Sequence, residues 1–142
     1  MKISRPTLIQ QDSAIVYQAK VESSLGSQPL WFSFPPQYRD LVSDRADGAL
    51  VAMLLPAMIL GEDVSIDGPL SERLYYNLSG RAQGLLTTLL PQLNRVKIHA
   101  EHLDPALRSP DTEGGVATGF SGGVDSFRSE EHTSELQSLT NL

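Results

Sequence analysis

The sequence predicts an α/β fold: a small N-terminal α/β domain with a β-hairpin over residues 1–103, then the opening strand and glycine-rich loop of a second unit. Three observations predict it. Segments with apolar residues at every second position alternate with segments repeating every three to four, the pattern of strands interleaved with helices. Two β-rich runs flank the turn-like SSLGSQ at 23–28, and a strand-like run at Val116–Phe120 leads straight into Gly122-Gly123.

In the first strand, over 14–22, Ile15, Tyr17, Ala19 and Val21 share one face. LWFSF at 30–34 follows the turn and is closed by Pro35-Pro36, so the two runs are expected to pair antiparallel. Trp31 and Phe34 are expected in the core, Trp31 for the area it buries and not as a stacking platform. Helical signal begins near Tyr38 and runs to Leu60, with Asp40, Asp44 and Asp47 toward its positive end. Pro56 is expected to kink or split this helix, and Gly61 to cap it. EDVSIDG at 62–68 reads as a short strand ending in a turn. Ser71 then caps a helix whose buried stripe is Leu74, Leu78, Ala82, Leu85 and Leu89, weakened by Gly80 and Gly84 and stopped by Pro91. RVKIHAEHL at 95–103 alternates as a strand, and the turn-rich 104–115 is a linker.

Composition bounds the function classes. The chain has 142 residues, 40% of them hydrophobic and 20% charged, as a soluble globular protein does. Its net charge of -6 argues against a protein that holds nucleic acid through its overall field. No cysteine is present, which excludes disulfides and thiolate chemistry within these residues and fits a cytoplasmic location. MKISRPTLIQQDS lacks the apolar run of about 7 to 15 residues that a secretory signal needs. The strongly apolar Ala49–Leu60 spans 12 residues and contains Pro56. A membrane span needs about 20, so a buried helix is expected there.

The chemistry is concentrated at one place. Val116–Phe120 (VATGF) is expected to be a strand, and Ser121-Gly122-Gly123-Val124-Asp125-Ser126 follows it. A strand running into a glycine-rich turn at a helix start turns backbone N–H groups toward an anion, and the helix dipole adds to the attraction. Ser121 and Ser126 offer hydroxyl donors, while the glycines allow close approach. Asp125 would repel a polyphosphate unless Mg²⁺ lies between them or the carboxylate caps the following helix.

SGGVDS resembles the PP-loop signature of the ATP pyrophosphatases, the adenine nucleotide alpha hydrolase-like superfamily. The resemblance covers Val116–Phe127, about a tenth of the chain. A chance match to such a hexapeptide is on the order of one in ten thousand. It is distinct from the Walker type, since no Lys follows the glycines. The resemblance implies a doubly wound parallel sheet, truncated here after its first strand and loop. It also implies an enzyme that cleaves ATP to AMP and pyrophosphate, with Ser121 to Ser126 holding the pyrophosphate and Asp125 holding Mg²⁺. A carboxylate or carbonyl oxygen of a small-molecule substrate is adenylated, and ammonia or a similar nucleophile displaces AMP. Asparagine synthetase-like members carry a cysteine after the initiator Met; Lys2 stands there, so that architecture is not expected. A 7-cyano-7-deazaguanine synthase-like or amidotransferase-like reaction ranks first. A tRNA-thiolating enzyme ranks second, because residues 1–103 carry 9 basic against 10 acidic side chains and no basic stripe. A non-catalytic nucleotide-binding or interaction module is the alternative from another class.

Arg128 to Ser138, RSEEHTSELQS, resembles the translation of a common short-read sequencing adapter at all eleven residues. The natural protein is therefore expected to end its match at Phe127, with 128–142 an adapter-derived tail, and the fragment to be inactive and poorly soluble. His132 is accordingly not a site. His99 and His102, three apart in a strand, are expected on opposite faces and so not to chelate a metal. Glu62 and Asp63 are expected to be solvated turn residues.

Overall fold

The computed structural model describes residues 1–105. The predicted strand at Val116–Phe120, the loop at Ser121–Ser126 and the tail all lie outside the described residues. What precedes them is a mixed α/β unit built on a six-stranded sheet.

The chain opens with two short strands that the sequence reading did not find, β1 (Lys2–Ile3) and β2 (Thr7–Gln10). Both pair antiparallel with one edge of β3 (Ile15–Ser23), Ile3 opposite Val21 and Gln10 opposite Ile15, so they lie end to end. The other edge of β3 pairs with β4 (Gly26–Phe34), from Ser23 opposite Gly26 to Ile15 opposite Phe34. The expected hairpin is therefore present, and Ile15, Tyr17, Ala19 and Val21 are all buried.

Trp31 departs from the expectation. It lies opposite Gln18 and is 60% exposed, whereas Phe34, opposite Ile15, packs partly buried against the core. Residues three apart on a strand point to opposite faces, so Trp31 and Phe34 cannot both be core. Phe32 and Leu30 share the core face with Phe34.

The helix expected from Tyr38 does not begin there. A 3-10 turn covers Pro36–Leu41, Val42 is extended, and α1 spans Asp47–Leu60. Its start is held from the sheet side, where the Ala46 N–H donates to the Pro69 carbonyl at 2.9 Å. Pro56 does not divide α1. An interior proline costs about 3 kcal/mol, while Leu54 and Met58 are buried on either side of it and contribute about 1.5 to 3 kcal/mol each. Gly61 ends the helix in the left-handed region, φ 69°, as expected of a glycine cap.

β5 (Val64–Ser71) runs past the turn expected at Gly68. Gly68 adopts φ 123° at a register shift between Ile66 and Pro69, and a Cβ there would stand 3.2 Å from Arg5 Cγ. Glycine thus forms a bulge in the strand without ending it. β5 pairs parallel with β1 on one side and with β6 (Ile98–Asp104) on the other. Asp104, placed in the linker by sequence, is the last residue of β6.

Between β5 and β6 runs a helical segment in three parts: α2 (Glu72–Tyr76), a π-helical stretch Asn77–Ala82, and α3 (Gln83–Leu89). Leu74 and Leu78 pack on the core as expected, but Leu85 and Leu89 are 62% and 67% exposed. The wider π turn shifts every later residue around the axis, so Gln83 and Leu86 take the inward positions. Gly80, one of the two glycines read as weakening the helix, sits within that turn.

One core joins Tyr17, Ala19 and Val21 of β3 to Leu50, Leu54 and Met58 of α1 and to Val64, Ile66 and Leu70 of β5. Among the described residues, no helix is long and apolar enough to cross a membrane.

Candidate functional site

Ser121, Gly122, Gly123, Val124, Asp125 and Ser126, the residues expected at nucleotide, with Asp125 expected at Mg²⁺, lie outside the described residues. The described domain has polar chemistry of its own at the carboxyl ends of β5 and β6, where open α/β sheets place their ligands.

Five polar residues meet there from five segments. Asp47, in the first turn of α1, accepts the Ser71 backbone N–H at 2.8 Å and the Ser71 hydroxyl. Ser71 precedes α2 in the cap position, but its hydroxyl serves Asp47 and makes no cap hydrogen bond. Arg45 places Nε 3.1 Å from the Asp104 carboxylate and donates from Nη1 to Ser71 Oγ at 3.4 Å. Tyr17 completes the group, its hydroxyl donating to the Arg45 carbonyl at 2.9 Å. Burial pushes the Tyr17 phenol up to about 12, with the carboxylates of Asp47 and Asp44 adding to the rise. Tyr17 therefore remains a neutral donor at physiological pH.

Beside this cluster opens a slot of about 220 Å³. Tyr17, Phe32 and Phe34 form its aromatic wall, and Arg45, Asp47 and Gly48 also line it. Val42 and Ser43 lie between the slot and a wider cleft of about 630 Å³, since they line both. Arg5, Arg39 and Asp44 bring charge to the wider cleft. The sequence reading did not single out Arg5, Arg39 or Arg45. In sequence Asp47 is a helix-end acid and Ser71 a cap, and no local pattern marks two residues 24 positions apart as partners.

Other predicted positions resolve differently. Glu62 is not merely a solvated turn residue. Its Oε2 lies 3.0 Å from the Met1 ammonium, and its Oε1 accepts the Ser24 N–H at 2.9 Å. The hydrogen bond from Ser24, then the amino terminus, hold its carboxyl down at about 2. Asp63 accepts the Lys97 N–H at 2.7 Å. His99 lies opposite Ser65 and His102 opposite Pro69, on either side of the register shift, and both are exposed. Among the described residues, no three His, Asp or Glu side chains converge to hold a metal ion.

No protein-family model, curated protein or solved structure matches the chain.

Proposed function

We propose that this chain is the N-terminal part of an ATP-dependent adenylating enzyme of the PP-loop class, an accessory α/β domain joined to the start of a nucleotide-binding domain. One observation carries the reading: the hexapeptide Ser121–Ser126, SGGVDS, directly after the strand-like VATGF. In this reading the backbone N–H groups around Gly122, Gly123 and Val124 receive the β- and γ-phosphates, and Ser121 and Ser126 donate hydroxyl hydrogen bonds to them. A substrate carboxylate or carbonyl oxygen attacks the α-phosphorus. The new O–P bond forms as the bond to the bridging oxygen breaks, and the electron pair leaves with pyrophosphate. Ammonia or a similar nucleophile then displaces AMP. Asp125 would supply the hard oxygen ligand that Mg²⁺ prefers, and a cation held there would offset charge on the departing pyrophosphate.

The test begins with a read of the source DNA across codon 127 by a method that uses no such adapter. The natural frame is expected to depart from RSEEHTSELQS and continue into further strands and helices. The protein expressed from that frame should convert ATP to AMP and pyrophosphate in the presence of an acceptor and ammonia. Asp125→Ala should lower turnover by about a hundredfold or more. Release of ADP and phosphate, or nucleotide binding without turnover across the acceptor panel, would overturn the assignment.

A further inference from the structure

We propose that the slot and the adjoining cleft form one binding site for a small molecule that joins a planar apolar ring to a single anionic group. The proposal does not depend on the ATP loop. Neither cavity alone has the character of a ligand site: the slot is small for one, and the cleft is open and polar. Their shared residues, Val42 and Ser43, make them neighbours, and together they reach the size of ordinary small-molecule pockets.

The division of chemistry between them selects the ligand. Inside the slot the polar groups are already engaged: Arg45 with Asp104 and Ser71, Asp47 with Ser71, and the Tyr17 hydroxyl with the Arg45 carbonyl. What the slot offers a ligand is therefore the faces and edges of Tyr17, Phe32 and Phe34, which suit an uncharged ring. In the cleft the balance is reversed. Among the described residues, Arg5 and Arg39 form no ion pair, and Asp44 is the carboxylate that lines the cleft with them. Two guanidinium groups against one carboxylate leave a net charge of one, which matches one carboxylate or phosphate group. Guanidinium groups bind either anion through paired N–H donors.

Gly48 supplies a way to close the slot. It lines the slot, and a Cβ added there meets nothing within 4 Å.

The experiment is a titration of the isotope-labelled full chain, followed by backbone amide shifts, with benzoate, phenyl phosphate, benzamide and acetate. Benzoate or phenyl phosphate should bind saturably and shift Val42, Ser43 and Gly48, and the tighter of the two identifies the anion. Benzamide, which lacks the charge, and acetate, which lacks the ring, should bind at least about tenfold more weakly. The double variant Arg5→Ala, Arg39→Ala alters only exposed side chains and should reduce the ring anions to the level of benzamide. Gly48→Leu should block all ring ligands. The proposal fails if no ring anion binds saturably, if benzamide equals benzoate, or if the double variant leaves the affinities unchanged.

Discussion

Asp47 accepts two hydrogen bonds from Ser71, one from its backbone N–H at 2.8 Å and one from its hydroxyl, and so ties the first turn of α1 to the end of β5. Asp47→Ala strands the Ser71 N–H in a half-buried setting and should cost about 1 to 3 kcal/mol. Ser71→Ala keeps the backbone bond and should cost less. Thermal melts followed by circular dichroism would rank the two; equal losses would show that the hydroxyl carries the whole effect.

Among the described residues, Gln83 is the polar side chain that is buried, 1% exposed. Its amide nitrogen donates to the carbonyls of Leu78 and Val96 at 3.0 and 3.1 Å, and its oxygen accepts the Val96 N–H at 2.9 Å. It joins the end of the π turn to the approach of β6. Gln83→Leu leaves the Val96 N–H unpaired and should cost about 1 to 3 kcal/mol. Gln83→Glu should be worse, since it buries a carboxylate against two carbonyl oxygens. Hydrogen exchange at the Val96 amide should accelerate in both variants.

Glu62 makes stability depend on pH in acid. Its carboxyl is held at about 2 in the folded protein against an ordinary value of 4.5, so folding favours its charged form. The contribution is present above the ordinary value and is lost as pH falls toward 2. Urea midpoints of the parent and Glu62→Gln should differ most above about pH 5 and converge by about pH 2. A difference that stays constant over that range would mean that the charge of the carboxylate, held by Ser24 and the amino terminus, is not what Glu62 contributes.

Trp31 and Leu50, both expected to be buried from the sequence, should respond very differently to truncation. Trp31 is largely exposed, while Leu50 is fully buried in α1. Trp31→Ala should change stability by less than about 0.5 kcal/mol, and Leu50→Ala should cost about 2 to 5 kcal/mol. Denaturant titration of the two variants distinguishes the outward register of β4 from the core position that composition suggests.

Much of the fold was legible because burial imposes a period. The alternation of Ile15, Tyr17, Ala19 and Val21 has one physical cause, a sheet face packed against helices. The strand expected from Arg95, by contrast, starts only at Ile98, Val96 being buried ahead of it with its N–H and carbonyl bonded to the Gln83 side chain. The errors arose where a local signal competes with a distant partner. Leu85 and Leu89 fit a straight helix, but the π turn at Asn77–Ala82 rotates them outward. Gly68 signals a turn, yet β6 pairs with β5 on both sides of it and keeps the strand going through a bulge. β1 is only two residues long and shows no period of its own; pairing to β3 and β5 defines it.

The sequence by itself determined the α/β class, the hairpin, the apolar helix α1 with its glycine cap, and the SGGVDS motif, because each depends on residues close together in the chain. Only the tertiary structure decided that Asp47 meets Ser71, that Arg45 meets Asp104, and that Val42 and Ser43 adjoin both an aromatic slot and a cleft with two arginines. Those contacts join residues from separate elements. Their partners are chosen by strand order and helix placement, which local pattern does not encode.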